Sequence, residues 1–271
     1  MVDSISVAKL VVYIILLPPA LFVLWRHGKP GFLGWFFVQC FCILRIVTGA
    51  IGLSGISSNS ATATILNSIG LSPLLLAGAG ILIEARKATN PRVNRKMERL
   101  MDISFHALVI LATVLSIIAI LKLQELQIID SMKAMLKASS ALSALAWAAL
   151  VTWTVCSLVS LHGSGSQMEI LTARAGKTLL LGLVIAVSIL VIRLAYGIAS
   201  LQMRVSDPAS SFPSNTTAQI LLMIIPEILV TMSYIISGIL TVSLNADLKK
   251  TKLLYARASS ELSHDLGANI A

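Results

Sequence analysis

The chain has 271 residues, of which 56% are hydrophobic and only 12% are charged, and its formal net charge is +9. This composition excludes a soluble domain and favours an integral membrane protein, because several apolar runs are long enough to cross a hydrocarbon core of about 30 Å. The positive charge requires no nucleic-acid partner, since basic residues beside membrane helices face anionic lipid headgroups.

Apolar runs separated by short loops predict an all-α bundle of seven transmembrane helices. The runs cover residues 7–25, 32–53, 62–84, 101–122, 138–161, 177–201 and 218–243. The first run is as long as the others, which favours a retained span over a cleaved signal peptide. Short loops predict that consecutive spans are neighbours in the bundle.

Basic residues are concentrated on one side of the predicted membrane. Fourteen of the 21 Lys and Arg residues flank the first, third and fifth loops or follow the last span. The positive-inside rule therefore predicts an outside or lumenal N-terminus and a cytosolic C-terminus. The predicted organisation is a transmembrane domain over residues 1–244 and a basic cytosolic tail over 245–271. The sequon at Asn215 falls on the lumenal side, although its closeness to the seventh span argues against glycosylation.

Three ionisable residues lie deep inside predicted spans. Arg45, Arg193 and Glu227 are about 20, 24 and 25 Å from the cytosolic ends of their spans, at a rise of 1.5 Å per residue. A charge at the centre of a membrane helix costs on the order of 3 kcal/mol, so Glu227 is predicted to approach Arg45 or Arg193. Asn67 enters from the other side and reaches nearly the same depth.

This layer has two interpretations. An arginine–carboxylate pair can act as a structural lock that fixes helix register. Alternatively, two arginines against one carboxylate leave surplus positive charge, which suits an anionic or strongly hydrogen-bonding ligand that enters from the outer half. Pro226 and Pro73 are expected to interrupt the seventh and third spans.

Other polar and aromatic residues are weaker site candidates. Asp102 and His106 are four residues apart and could act as an acid and a base, although such a pair is more often an interfacial anchor. Trp147 and Trp153 are pocket candidates. The sequence shows no metal-ligand cluster and no aspartate-rich motif for magnesium diphosphate, so no metal or other cofactor is expected.

Several segments resemble a known group of proteins. They are "WRHG", "LRIVTGAIGL", "GLSPLLLAGAGIL", "RLAYG" and "IPEILVTMSYIISG". They resemble a family of fungal seven-span proteins of largely unknown function, which is similar to the membrane-bound terpene cyclases of meroterpenoid pathways, the ascofuranone and macrophorin type. The resemblance covers nearly the whole chain.

The resemblance implies a metal-independent isomerisation of a prenylated, lipid-soluble substrate, started by protonation of a terminal epoxide or alkene in the endoplasmic reticulum membrane. Glu227 is the candidate acid, and Asp102 is the fallback if both arginines contact Glu227 and hold it ionised. The candidate substrate-binding residues are Arg45, Asn67, Trp147, Trp153, Arg193, Tyr196 and Tyr234. The alternatives are a seven-span small-molecule sensor and a lipid-binding or transport protein without catalysis.

Overall fold

The structure is a computed structural model of the chain that describes residues 4–54, 61–89, 95–124, 129–160, 167–206, 212 and 215–242. Apart from turns at Ser54, Gly70 and Ser160 and the cap residue Asn215, the described residues are helical and include no strand. The tail over residues 245–271 lies outside them, so its placement in the cytosol stays a prediction.

Seven helical segments are long and apolar enough to cross a membrane, which confirms the predicted all-α membrane bundle. We call them spans 1 to 7. Their bounds are Ile5–Gly28, Gly31–Leu53, Thr64–Thr89, Lys96–Lys122, Asp130–Val159, Arg174–Met203 and Thr216–Val242. The helix Ser4–Leu53 covers spans 1 and 2, and the helices Ala61–Ile69 and Leu71–Thr89 form span 3. Spans 4, 5 and 6 lie in the helices Arg95–Gln124, Ile129–Val159 and Gln167–Ser206. Span 7 begins with the helix Thr216–Gln219 and continues through the helical residues that follow it.

Spans 1 and 2 are joined by a sharp reversal at Gly28. Its backbone has φ 60° and ψ −153°, a conformation that only glycine adopts readily. The chain therefore turns back with almost no loop, and spans 1 and 2 form a hairpin. The ends of the two spans agree with the prediction to within a few residues.

Span 3 is the centre of the bundle, with 56% of its most apolar window buried. Small residues let it approach its neighbours closely, as expected where lipid gives helices little hydrophobic reason to associate. A Cβ on Gly34 of span 2 would lie 2.7 Å from the backbone nitrogen of Ile81, and a Cβ on Gly80 would overlap the Cα of Gly34. Spans 2 and 3 are thus in direct backbone contact at this crossing.

We expect Gly80→Ala to destabilise the bundle by about 1 to 3 kcal/mol, because the added methyl group has only backbone atoms beside it and the helices must separate. The measurement is the midpoint of thermal unfolding of the purified protein in one detergent. Ala148→Val is the control, since Ala148 is on an exposed face. Equal midpoints for Gly80→Ala and the parent protein would contradict the close crossing.

Spans 3 and 7 are each interrupted shortly before the proline that predicts an interruption. Span 3 breaks at Gly70, between helices that end at Ile69 and begin at Leu71. Pro73 has no N–H, so the carbonyl of Ile69 has no intrahelical partner four residues later. In span 7 the interruption is a π-helical turn over Ile220–Ile224, and the Ile225 N–H donates to the Ile220 carbonyl. This wider turn comes directly before Pro226, whose ring would otherwise clash with a carbonyl of the preceding turn.

Candidate functional site

The predicted approach of Glu227 to an arginine is confirmed, and both arginines take part. Arg193 Nε donates to Glu227 Oε1 at 2.6 Å, and Arg45 Nη2 donates to the same oxygen. Exposed fractions are 0% for Arg45, 3% for Arg193 and 1% for Glu227. We call these three residues the triad. It connects spans 2, 6 and 7 through one carboxylate oxygen.

Asn67 connects the triad to span 3. Arg193 Nη2 donates to the Asn67 backbone carbonyl at 2.7 Å, and Arg45 Nη1 donates to the Asn67 side-chain oxygen at 3.4 Å. Asn67 lies in the short helix Ala61–Ile69, directly before the break at Gly70. Both guanidinium groups therefore hold this helix as well as Glu227.

The break at Gly70 makes room for Arg45. A Cβ on Gly70 would overlap Arg45 Nη2 and lie 2.6 Å from Arg45 Cζ. Arg45 Cζ also lies 5.2 Å from the centre of the Phe41 ring, within the range of a cation–π contact. The guanidinium is thus fixed between an aromatic face and bare backbone.

We expect Gly70→Ala to displace the Arg45 guanidinium and to destabilise the protein by about 1 to 3 kcal/mol, although no charge changes. Thermal unfolding of the purified variant measures the loss. The additional change Arg45→Lys provides the check, because the slimmer lysine should partly restore the stability of Gly70→Ala. If Arg45→Lys worsens both backgrounds equally, the two residues are not in contact.

Tyr13 is a neighbour of the triad that sequence reasoning missed. Its ring is fully buried and packs edge-on against Phe41, with ring centres 5.5 Å apart. Its hydroxyl and Arg45 Nε are buried without a hydrogen-bond partner among the described residues. Tyr13 is the only aromatic residue with a hydroxyl in span 1, but nothing in a lone apolar-face tyrosine distinguishes such a position from ordinary core packing.

A cavity of about 300 Å³ lies beside the triad. It occupies the half of the bundle in which span 1 begins, which is the outer half in the predicted orientation. Arg193, Asn67, Lys9 and Tyr196 are among its lining residues. Lys9 is buried and close enough to interact electrostatically with Glu227, and it has a further contact of its own within the chain. The cavity thus adjoins two cationic side chains.

The other predicted binding residues lie elsewhere in the described bundle. Tyr234 is fully buried, and its hydroxyl donates to the Leu74 carbonyl at 3.3 Å. The Trp147 indole donates to the Val187 carbonyl at 3.1 Å. Trp153 is buried with no described partner for its indole N–H. None of the three is among the described residues that line the cavity, so their contacts are those of helix packing.

Asp102 and His106 do form a pair, as their spacing predicts. His106 Nδ1 lies 3.1 Å from an Asp102 side-chain oxygen and 2.8 Å from the Asp102 backbone carbonyl. The centre of the His106 ring also lies 5.7 Å from the centre of the Phe37 ring. Neither residue is among the described lining of the cavity.

Asn215 caps the helix Thr216–Gln219, accepting from the Thr217 and Ala218 N–H groups, and its side chain is exposed.

A second polar cluster lies at the opposite end of the bundle, the cytosolic end in the predicted orientation. Glu84 of span 3 lies 2.6 Å from His27 Nδ1 and accepts from Trp35 Nε1 at 2.8 Å. His27 Nε2 donates to the Gly238 carbonyl at 3.0 Å. Spans 1, 2 and 3 therefore meet at the Glu84 carboxyl group, and His27 links this cluster to span 7. Sequence reasoning missed this cluster because each residue alone resembles an interfacial side chain.

The described residues hold no group of three His, Cys, Asp or Glu side chains that could bind a metal ion.

Residues 1–244 match the family described as a domain of unknown function, DUF7702. The chain belongs to the DUF7702 family. No curated protein matches the chain. No solved structure matches it either. Because the DUF7702 match covers all seven spans, it covers both the triad and the cavity.

Proposed function

We propose that this membrane protein binds a small, lipid-soluble molecule in the cavity beside the triad, through a head group that is anionic or accepts strong hydrogen bonds. The observation that carries the proposal is that two buried guanidinium groups share one carboxylate oxygen, while one of them, Arg193, also lines the cavity. The triad then has two positive charges and one negative charge.

An unbalanced buried charge is costly in a membrane interior, and such residues usually face a partner or a ligand pathway. Arg193 Nη1 lies at the cavity wall, since a Cβ on the lining residue Gly197 would be 3.1 Å from it. A bound anion at this point would neutralise the surplus charge.

The same contacts favour Glu227 as an anchor for the arginines over Glu227 as an initiating acid. The two positively charged arginines favour the ionised form of the Glu227 carboxylate, and this form has no proton to donate. Glu227 is also absent from the described lining of the cavity, which includes no carboxyl group at all.

Terpene cyclisation is the second candidate, and Tyr196 is the observation that favours it. Its buried ring lines the cavity, where an aromatic face could stabilise a carbocation formed on a prenyl chain. We propose the endoplasmic reticulum as the compartment for this activity. The reaction requires a proton donor at the cavity, and because no described lining residue carries a carboxyl group, binding without turnover is the better-supported function.

The test is calorimetric titration of the purified full chain in lipid nanodiscs with a medium-chain fatty acid, its methyl ester and a farnesylated phenol epoxide. We expect saturable binding of the acid and at least about tenfold weaker binding to Arg193→Gln, since a charge-assisted hydrogen bond contributes about 1.5 to 3 kcal/mol. Arg193→Gln leaves Arg45 and Glu227 as a one-to-one pair, so it should remain folded.

Ser188→Ala is the matched control, because Ser188 is an exposed residue of the same span. Equal affinities of the acid for the parent and a folded Arg193→Gln would refute the site. Mass spectrometry of the epoxide sample decides the second candidate, since a cyclase gives a new product of unchanged mass.

A further inference from the structure

Hydroxyl groups dominate the polar part of the cavity wall. Besides Lys9, Asn67, Arg193, Tyr196 and Gln219, the polar lining consists of serines and threonines from spans 1 to 6: Ser6, Thr48, Thr64, Ser68, Ser72, Thr113, Ser116, Ser139, Ser140, Ser143 and Ser200. A hydroxyl has one proton to donate and two lone pairs that accept. What the wall offers a ligand therefore depends on where those protons go.

Most of these protons are used within the protein. The Thr113 hydroxyl donates to the Val109 carbonyl at 2.7 Å. Ser72 must therefore be the donor in its hydrogen bond with Thr113. Likewise, Ser143 donates to the Ser139 carbonyl at 2.9 Å and Ser139 to the Leu136 carbonyl at 3.0 Å. Thr48, Ser68 and Ser200 also donate to carbonyls of their own helices. These oxygens keep lone pairs, so this part of the wall accepts hydrogen bonds.

Ser140 is different. Its side-chain oxygen is buried, the residue is only 8% exposed, and the hydroxyl has no hydrogen-bond partner among the described residues. Its neighbours in the wall, Ser139 and Ser143, have both used their protons. A buried hydroxyl without a partner is unfavourable, so its position on a cavity wall points to a ligand that satisfies it.

We propose that the ligand is a hydroxylated monocarboxylic acid, whose carboxylate accepts from Arg193 while its hydroxyl pairs with Ser140 and the neighbouring acceptor oxygens. This inference rests on the proposed function and names the chemical class of its ligand. A hydroxyl fits better than a protonated amine, which only donates, or a ketone, which only accepts, because it can donate to the acceptor wall and accept from Ser140 at once.

The charge of the triad favours a monoanion. One carboxylate balances the charges of Arg45, Arg193 and Glu227, and Lys9, the other cation at the cavity, already has a contact of its own within the chain. The volume of about 300 Å³ is at the lower end of the range for small-molecule pockets. It therefore favours a compact acid over a full phospholipid.

The test is a binding series on the full chain in nanodiscs, with compounds of one chain length. The series contains medium-chain hydroxy acids that differ in the position of the hydroxyl group, and the unsubstituted acid. It also contains the methyl ester of the best hydroxy acid and the alkyl phosphate. We expect the best hydroxy acid to bind about 5-fold more tightly than the unsubstituted acid. In Ser140→Ala this preference should disappear while the unsubstituted acid keeps its affinity. Ser188→Ala should keep the preference.

Each outcome has a separate meaning. If the unsubstituted acid binds through Arg193 and no hydroxy acid binds more tightly, or Ser140→Ala keeps the preference, this inference is wrong and the proposed function stands. If the phosphate binds most tightly, the monocarboxylate assignment is wrong. If no acid binds to folded protein, the proposed function itself fails.

Discussion

We expect Glu227→Gln to be the most damaging conservative substitution in the bundle, with a loss of about 3 to 5 kcal/mol in stability. Glutamine keeps the shape of the side chain and one accepting oxygen, but it removes the only negative charge that the triad holds against Arg45 and Arg193. Two uncompensated guanidinium groups would then be buried at the depth of the membrane core. The measurement is the folded fraction and the thermal midpoint of purified protein.

Removing one arginine tests whether charge is the cause. The double variant Arg193→Gln with Glu227→Gln has one uncompensated guanidinium group in place of two, so it should be more stable than Glu227→Gln alone. Arg193→Gln alone should cost the least, since Arg45 and Glu227 remain paired. A double variant that is less stable than either single variant would show that shape and hydrogen bonding, rather than charge, hold the triad.

The carboxyl group of Glu84, at the other end of the bundle, should respond in the opposite way. In Glu84→Gln the amide oxygen can still accept from Trp35. The amide N–H can donate to Nδ1 of a neutral His27, because Nε2 of that ring already donates to the Gly238 carbonyl. We therefore expect stability within about 1 kcal/mol of the parent. Glu84→Leu satisfies neither neighbour, leaves the Trp35 N–H buried and unpaired, and should cost about 2 to 3 kcal/mol.

The same unfolding assay compares these two variants. Lys87→Gln is the control for general effects at this end of span 3, since Lys87 is exposed. A large loss in Glu84→Gln would show that the ionic form of the His27–Glu84 contact is required. A small loss in Glu84→Leu would show that the cluster contributes little to the association of the four spans.

Most of the architecture follows from the sequence because membrane crossing has strict requirements. A span needs about 20 apolar residues, and an ionisable residue within it needs a partner. These two rules predict the seven spans and the contact of Glu227 with the arginines. Pro73 and Pro226 likewise predict interruptions, although the break falls at Gly70 and the span 7 interruption is a wider turn rather than a simple kink.

The remainder depends on distances between helices, which no local pattern specifies. The pairing of His27 with Glu84 joins residues 57 positions apart. The Ser140 hydroxyl, which has no partner among the described residues, becomes distinctive only beside a cavity. The side chains of Trp147, Trp153 and Tyr234 each combine an apolar ring with one polar group. The sequence alone therefore cannot distinguish a binding role from packing. Their contacts are decided by helix rotation within the bundle.

The attachment of Asn67 to Arg193 gives the short helix Ala61–Ile69 a mechanical role. This helix is separated from the rest of span 3 by the break at Gly70, and its Asn67 carbonyl occupies Nη2 of the arginine that lines the cavity. An anionic ligand of the proposed kind would compete with that carbonyl for the same guanidinium. If the cavity binds the proposed ligand, we expect its occupancy to change the contact between Arg193 and Asn67 and so the position of the short helix Ala61–Ile69, while Gly80 and Glu84 hold the opposite end of span 3 against Gly34 and His27.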